Sequence, residues 1–309
     1  MITTVTLNAA IDKTYYVQQF ASGGVHRVVR QIAEPGGKGN NVAKVAKLLG
    51  ADVTATGLIG GSSGSFIETQ LAARGIRTSF IRVPGESRVC LNIIDEHTGV
   101  STELLEQGPD IAADHVLALK NTLRSLAAES SVVVLSGSLP PGAPAALYAD
   151  LIGVIQAAGA HAFLDTSGAA LSSGLEAQPY FVKPNEQELA AWMGRELASE
   201  AAWTEAAAKL AGAGIAQVCV TLGSRGTIAI IDGAAYRVHP PLIQAVNTVG
   251  CGDAFVAGMA YAEERGESPL EKLRIATAAA AANAMSDKAG HLDEAVFAAY
   301  LPQVQVTAL

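Results

Sequence analysis

Near the carboxyl end, Asn247-Thr248-Val249-Gly250-Cys251-Gly252-Asp253-Ala254-Phe255 places two glycines around one residue, with an aspartate directly after them. A small, apolar, helix-like run follows, from Ala254 to Ala260. Glycine lets a backbone approach a ligand closely and adopt positive φ. The first free amides of a helix, at the positive end of its dipole, hold negative charge. A carboxylate in the same turn can take a proton from a hydroxyl lying between it and that anion. Together these features point to phosphoryl transfer to an alcohol. The same residues would also serve as a plain glycine-rich helix start capped by Asp253.

Other segments add ligand chemistry. Pro35-Gly36-Gly37-Lys38-Gly39-Asn40-Asn41 is a second glycine-rich turn into a helix. Lys38 can meet an anionic or hydroxylated ligand, and Asn40 and Asn41 can cap the helix or bind sugar hydroxyls. The GxxxxGK[ST] spacing is missing, so this is not a Walker A loop. Asp12, at the end of the first strand, is a pure acceptor for sugar hydroxyls or an ordinary turn residue. Arg88 opens a later strand and offers a fork for a substrate phosphate.

Ser136-Gly137-Ser138-Leu139-Pro140-Pro141-Gly142 and Asp165-Thr166-Ser167-Gly168 each end a strand in a tight loop. Parallel sheets place ligand loops at such ends. In Lys183-Pro184-Asn185-Glu186-Gln187-Glu188, Asn185 and Glu188 suit the orientation of water around Mg²⁺, which keeps several waters and takes few protein ligands. Their spacing is equally that of a capping box. Thr221-Leu222-Gly223-Ser224-Arg225-Gly226 reads as strand, glycine turn and strand, suited to lie along nucleotide phosphates.

The elements that must position these residues alternate between strand and helix. The pattern predicts strands at 2–7, 53–59, 131–136, 161–165, 180–183 and 217–222. It predicts helices at 40–49, 64–74, 114–127, 144–158, 186–193, 201–212, 252–265, 269–286 and 293–300. Such alternation gives a mostly parallel sheet with helices on both faces. Residues 14–34 and 88–106 break it, being strand-like without intervening helices. They predict a small antiparallel sheet, serving as a water-excluding lid or a dimer surface, or else ordinary edge strands.

With 309 residues, 50% hydrophobic and 16% charged, the chain can bury a large core. No apolar run reaches the roughly 18 residues of a membrane span, and the start Met1–Leu7 reads as a strand rather than a signal peptide. The expectation is a soluble cytoplasmic protein without membrane contact. Cys90, Cys219 and Cys251 form neither a zinc pattern nor a disulfide framework. A net charge of −8 argues against nucleic acid and requires any phosphate site to gather positive charge locally.

In this order the motifs resemble the ribokinase-like (PfkB) family of sugar kinases, from about residue 2 to about residue 300. Lys38, Ser136–Pro140, Asp165–Gly168 and Lys183–Asn185 are similar to its phosphosugar branch, which includes 1-phosphofructokinase and tagatose-6-phosphate kinase. Glu106-Gln107-Gly108-Pro109 and Gly290-His291-Leu292-Asp293 lean toward the tagatose-6-phosphate members. The resemblance implies a three-layer ribokinase-like α/β fold over residues 1–309, one kinase domain with a lid from strands near 14–34 and 88–106.

It further implies Asp253 as base and an anion hole at Gly250, Cys251 and Gly252. Asp12, Gly37, Lys38, Asn41 and Arg88 would hold the sugar phosphate. Lys183, Asn185, Thr221, Gly223, Gly226 and Asn283 would serve ATP, with Asn185 and Glu188 organising Mg²⁺ through water. Dimerisation through the lid follows from the same resemblance, and a monovalent cation is left open. Three departures stand out: Ala9 where proline is frequent, Asn40 where an aliphatic residue is common, and Cys251 where alanine is usual. The helix start is expected to lower the Cys251 thiol pKa.

The leading expectation is phosphorylation of fructose 1-phosphate to fructose 1,6-bisphosphate. Tagatose 6-phosphate is the alternative acceptor. A kinase of an unphosphorylated sugar or nucleoside, and a non-enzymatic sugar-phosphate-binding protein, remain further readings.

Overall fold

A computed structural model describes all residues from Met1 to Leu309. The chain begins with β1 (Ile2–Thr6), β2 (Ala10–Val17), β3 (Arg30–Gly36), α1 (Lys38–Leu48), β4 (Val53–Gly60), α2 (Gly61–Ala72), β5 (Arg77–Val83), β6 (Arg88–Asp95) and β7 (Ser101–Leu105). Next come α3 (Ala113–Ala128), β8 (Val132–Ser136), α4 (Leu147–Ala157), β9 (His161–Asp165), α5 (Gly168–Glu176), β10 (Phe181–Val182), α6 (Glu186–Met193), α7 (Glu200–Gly212) and β11 (Gln217–Thr221). The chain closes with β12 (Thr227–Ile231), β13 (Ala234–His239), α8 (Cys251–Glu264), α9 (Pro269–Ala284), α10 (Glu294–Tyr300) and β14 (Gln305–Ala308).

Ten strands form the main sheet in the order β14-β13-β12-β11-β10-β9-β8-β1-β4-β5. Neighbours from β5 to β11 are parallel, and β12, β13 and β14 add an antiparallel margin. Strand β8 shows why helices cover both faces. Its Val132 and Val134 join the core with α1, α2, α8 and α9, while Val133 and Leu135 join the core with α3 to α7. A strand buried on both sides is apolar throughout, which explains its unbroken hydrophobic run.

β1 is the pivot of the sheet. On one side the chain builds β4 and β5, and on the other it builds β8 through β11. Ligands bind in the crevice at the carboxyl ends of strands where the order reverses, here the ends of β1 and β8.

Several elements escaped the hydrophobic pattern. β5 lies at the sheet edge and carries Arg77, Thr78, Ser79 and Arg82, so it shows no apolar run. The strands β12 to β14 form the other margin. α5 is rich in small residues and packs closely on β9: a Cβ on Gly174 would fall 2.6 Å from Leu164 Cδ2. Strand β10 has only two residues because Pro184 follows two positions after its end.

The strand-like regions near 14–34 and 88–106 form a separate sheet in the order β3-β2-β6-β7. It is mixed rather than antiparallel. β2 pairs with β3, and β6 with β7, antiparallel, but β2 and β6 run parallel. The reason lies in the main sheet. β1 and β5 point the same way, and β2 and β6 each leave that end after a few residues, side by side. β2 begins at Ala10, so Asp12 sits within this small sheet rather than at the end of β1.

α8, which carries Asp253 in its first turn, packs along α9 with almost no gap. A Cβ on Gly258 would fall 2.6 Å from Ala276 Cα and 3.0 Å from Ala276 N. We predict that Gly258→Ala costs about 1–3 kcal/mol by overpacking, despite the better helix propensity of alanine. Urea denaturation reads this, and unchanged or raised stability would show that the two helices separate freely.

Candidate active site

The first turn of α8 is built around glycine. Gly250 takes the N-cap position with φ 82°, a left-handed conformation that leaves no side-chain cap. The preceding loop is pinned from two sides. Asn247 accepts the Val249 amide at 2.9 Å, and the amides of Val246 and Asn247 donate to the Ala284 carbonyl at 2.8 and 3.1 Å. Fully buried Asn283 donates to the Val249 carbonyl at 3.0 Å and accepts the His291 amide at 3.2 Å. Asn283 thus braces the loop from behind. The Cys251 amide donates to the Thr248 carbonyl at 3.3 Å, whereas the amides of Gly250, Gly252 and Asp253 have no acceptor within the chain. These amides of the loop and first turn are left for an anion.

Asp253 is 6% exposed, and its Oδ2 accepts a 2.8 Å bond from Asn41 Nδ2 on α1. Burial pushes its carboxyl up to about 7, and the nearby charge of Asp165 adds to this. Lys38, the Asn41 bond and Lys183 pull the other way without prevailing. A carboxylate near 7 has the proton affinity that general base catalysis needs at neutral pH. Asn41 therefore spends its amide on Asp253. Asn40 is also committed, donating to the Gly36 carbonyl at 2.7 Å and accepting from Thr6 Oγ1 at 3.2 Å. Neither residue caps α1, whose N-cap is Gly37 with φ 92°.

The expectation for Cys251 needs correction. Burial pushes its thiol above the ordinary range, and the charge of Asp253 adds to that. A 3.5 Å contact from Asn283 Nδ2 opposes the shift too weakly. The helix start does not prevail because desolvation and a neighbouring carboxylate both disfavour a thiolate.

At the switch point a cavity of about 170 Å³ is lined by Thr6, Asn8, Lys38, Arg88, Ser136 and Ser138, with Gly137, Thr166 and Ser167. Arg88 is anchored by carbonyls, its Nε on Asn8 O at 3.1 Å and its Nη1 on Glu106 O at 3.4 Å. Lys38 opens α1 beside Gly37 and reaches Asp165 Oδ2 at 3.4 Å. Asp12 lies outside this lining, its carboxylate resting where a Cβ on Gly36 would stand, 2.1 Å away. Burial raises its carboxyl against the pull of Lys44 and Arg88.

A second cavity, about 620 Å³, lies on the other side of the α8 start. Asn185, Thr221, Gly223 and Gly226 line it with Cys251, Gly252 and Phe255, and Leu242, Ile243, Ala280 and Ala281 supply an apolar wall. Its volume and mixed lining suit a nucleotide, with glycine turns for phosphates and the apolar wall for a base. Lys183 does not line it. Lys183 is buried, 3.3 Å from Asp165 Oδ1.

Asn185 and Glu188 form a reciprocal capping box at the start of α6. Asn185 Oδ1 accepts the Glu188 amide at 2.8 Å, and Glu188 Oε2 accepts the Asn185 amide at 2.9 Å. Glu188 Oε1 stays free, so the pair can still orient water on a magnesium ion that takes most of its ligands from phosphate.

Residues 5–294 match the family described as pfkB family carbohydrate kinase. The chain belongs to that family. It is a phosphotransferase that acts on a sugar hydroxyl. A tagatose-6-phosphate kinase of Staphylococcus epidermidis is 36% identical over 309 residues, covering 99% of each chain. Phosphofructokinase-2 from Escherichia coli, in a complex with potassium, matches with a TM-score of 0.93 at 28% identity over 98% of each chain. A Thermotoga maritima structure described as a possible 1-phosphofructokinase matches with a TM-score of 0.90 at 26% identity, covering 100% of this chain and 99% of its own. These likenesses carry the ribokinase-like architecture, with its large sheet between helices and its separate small sheet.

In this pfkB-family kinase three residues near the site had no assigned role in the sequence reading. Asn8 lines the smaller cavity and donates to the Gln107 carbonyl at 3.0 Å. Lys44 lies buried on α1, donates to the Ala289 carbonyl at 2.9 Å, and is brought down to about 8 by burial. Asp165 stands between two lysines. Asn8 and Asp165 lay inside segments already marked as ligand loops. Lys44 gave no signal, because it reads as an exposed helical lysine.

The position of Asp253 makes two predictions. kcat/KM should rise with pH along a limb near 7, as Asp253 loses its proton and becomes a competent base. Asp253→Asn should cut turnover by several orders of magnitude and abolish that limb, with ATP binding by calorimetry nearly intact. Near-normal turnover in that variant would remove Asp253 from the base role.

Proposed function

We propose that this kinase transfers the γ-phosphoryl group of ATP to a primary hydroxyl of a ketohexose monophosphate. In this reading residues 1–309 act as one kinase domain, with the small sheet as its lid. The observation that carries it is the placement of Asp253. Asp253 directly follows Gly252, which lines the nucleotide-sized cavity with its glycine turns, and it feels the charge of Lys38, which lines the other cavity with Arg88. A neutral acceptor would need neither cation.

Asp253 takes the hydroxyl proton as the acceptor oxygen bonds to the γ-phosphorus. The bond to the bridging oxygen breaks, and its electron pair leaves with ADP. The amides of Gly250 and Gly252 meet the charge on the phosphoryl oxygens. Lys38, Arg88 and Gly37 hold the acceptor, Asp12 orients its hydroxyls, and Asn41 aims the base. Thr221, Gly223 and Gly226 line the ATP phosphates, with Lys183 beside them and Asn283 supporting the loop. Magnesium, held through water by Asn185 and Glu188, would supply neutralising charge on the phosphates.

Two acceptors fit this chemistry. The full-length likeness to tagatose-6-phosphate kinases favours tagatose 6-phosphate, with transfer to C1. Two segments leaning the same way border the acceptor half. The Glu106–Pro109 loop covers Asn8 and Arg88, and Gly290 packs on Asn41 and Lys44. Fructose 1-phosphate, with transfer to C6, is supported by the motifs of the phosphosugar branch and takes second place. The small sheet exposes Leu104 and Leu105, and the loop leading into β3 exposes Val28 and Val29, which supports a homodimer through the lid. Work in the cytoplasm belongs to the same proposal.

The test is Mg²⁺-dependent ADP release with tagatose 6-phosphate, fructose 1-phosphate, fructose 6-phosphate and free fructose side by side. The highest kcat/KM is expected with tagatose 6-phosphate. A preference for fructose 1-phosphate would exchange the two acceptors, and activity with free fructose alone would sink the phosphosugar reading. Repeating the assay over a potassium series reads monovalent-cation activation. Arg88→Glu should raise KM for the phosphosugar about 10- to 100-fold, the scale of a lost charge-assisted contact, while leaving KM for ATP unchanged.

A further inference from the structure

Asp165 has no role in the mechanism above, yet it occupies the centre of the site. It ends β9 with its side chain 1% exposed. Its Oδ2 accepts Ser136 Oγ at 3.3 Å and Lys38 Nζ at 3.4 Å. Its Oδ1 faces Lys183 Nζ at 3.3 Å, off the hydrogen-bond direction, so that contact is an ion pair rather than an aligned bond. The two lysines come from opposite halves of the site. Lys38 lines the acceptor cavity. Lys183 lies over the anion loop, where a Cβ on Gly252 would come within 3.3 Å of its Nζ.

Both contacts are longer than the roughly 2.7–2.9 Å of an optimal ammonium–carboxylate bond. Each ammonium has three donors and spends at most one here. The rest stay available on the two sides of the α8 start. A single buried carboxylate therefore restrains both cations without consuming them.

We propose that Asp165 is the positioning residue of the transfer step, holding Lys38 on the acceptor side and Lys183 on the donor side of the migrating phosphoryl group. This rests on the phosphoryl-transfer reading of the site. Asp165 exchanges no proton and forms no covalent bond. Burial alone would raise its carboxyl, but Lys183 and Lys38 overcome that and hold it below the usual range. It therefore stays charged while Asp253 titrates. The groups facing Asp253 are Lys38, Asn41 and Lys44 from α1, Asp165 from β9 and Lys183 after β10. Asp165 is the negative charge among them, so it favours the protonated form of Asp253.

The experiment compares wild type with Asp165→Asn by two readouts. The first is the pH profile of turnover. The second needs no turnover: the acylation rate of Lys38 by an N-hydroxysuccinimide ester, mapped by mass spectrometry against Lys120 as internal reference. In the variant kcat should fall about 10²-fold, the scale of a misplaced reacting group, with KM values little changed. The acid limb should move to lower pH, because Asp253 loses a neighbouring negative charge. Lys38 should acylate several-fold faster, because Asp165 is the main cause that raises its proton affinity.

An unmoved limb together with unchanged Lys38 labelling overturns the proposal, even if activity drops, since a purely structural role would give that result. If Asp165→Asn does not fold, Ser136→Ala decides: it removes one donor from Asp165 Oδ2 but leaves the carboxylate charged, so that charge falls more fully on Lys38. Slower Lys38 acylation there supports the proposal, and an unchanged or faster rate overturns it. A wild type inactive on every acceptor would sink the functional reading. The labelling would then still report the pairing, and unchanged labelling would overturn that separately.

Discussion

Two helix starts left without side-chain caps hold this site together. α1 begins after Gly37 and α8 after Gly250, both at positive φ, and neither has a side chain bonded to its first amides. A capping side chain would satisfy those orphan donors and close the site to an anion. The two starts are tied to each other by the Asn41–Asp253 bond. A third backbone segment is wedged between them. A Cβ on Gly250 would fall 2.8 Å from Gly290 N, and one on Gly290 would fall 2.8 Å from Asn41 Cα. Glycine at these places is a packing requirement as well as a conformational one. Three segments of the chain meet where side chains do not fit, and peptide groups face the ligand instead.

The electrostatics follow from that crowding. The protein is acidic overall, with a net charge of −8, yet Lys38, Lys44, Lys183 and Arg88 gather around Asp12, Asp165 and Asp253. The burial that raises Asp253 also lowers Lys44, so the site is less fully ionised than its residue list suggests. This is how an acidic chain can present local positive potential to phosphate without a basic surface.

Much of this was legible in the sequence, and the limits have physical causes. The parallel core was readable because β8, β9 and β11 are apolar on both faces. The edge strand β5 was not, because half its surroundings are solvent and its residues are polar. The glycine–aspartate turn announced the helix start that carries Asp253. Cys251 was read from its helix position alone, which ignores burial and the adjacent carboxylate. Asn283 belonged to the right neighbourhood, but a sequence does not say which side of a loop an amide supports. Lys44 could not be singled out, since its burial arises only when the Ala289–Gly290 segment folds back on α1. The parallel pairing of β2 and β6 was equally hidden, because it is inherited from the direction of β1 and β5.

The position of β1 at the pivot of the sheet bears on the order in which the molecule is made. β1 is made before its partners, and one of them, β8, lies about 130 residues later, with Ile2 opposite Val132. Asp253 is later still, more than 240 residues from Asp12 in the same chain. Contacts of such sequence separation form slowly, since loop closure precedes the reward. A nascent chain can thus hold β1, β4 and α1 together while still lacking the turn that carries Asp253. That turn arrives only with the last fifth of the polypeptide, so shorter chains lack the helix start that completes the site.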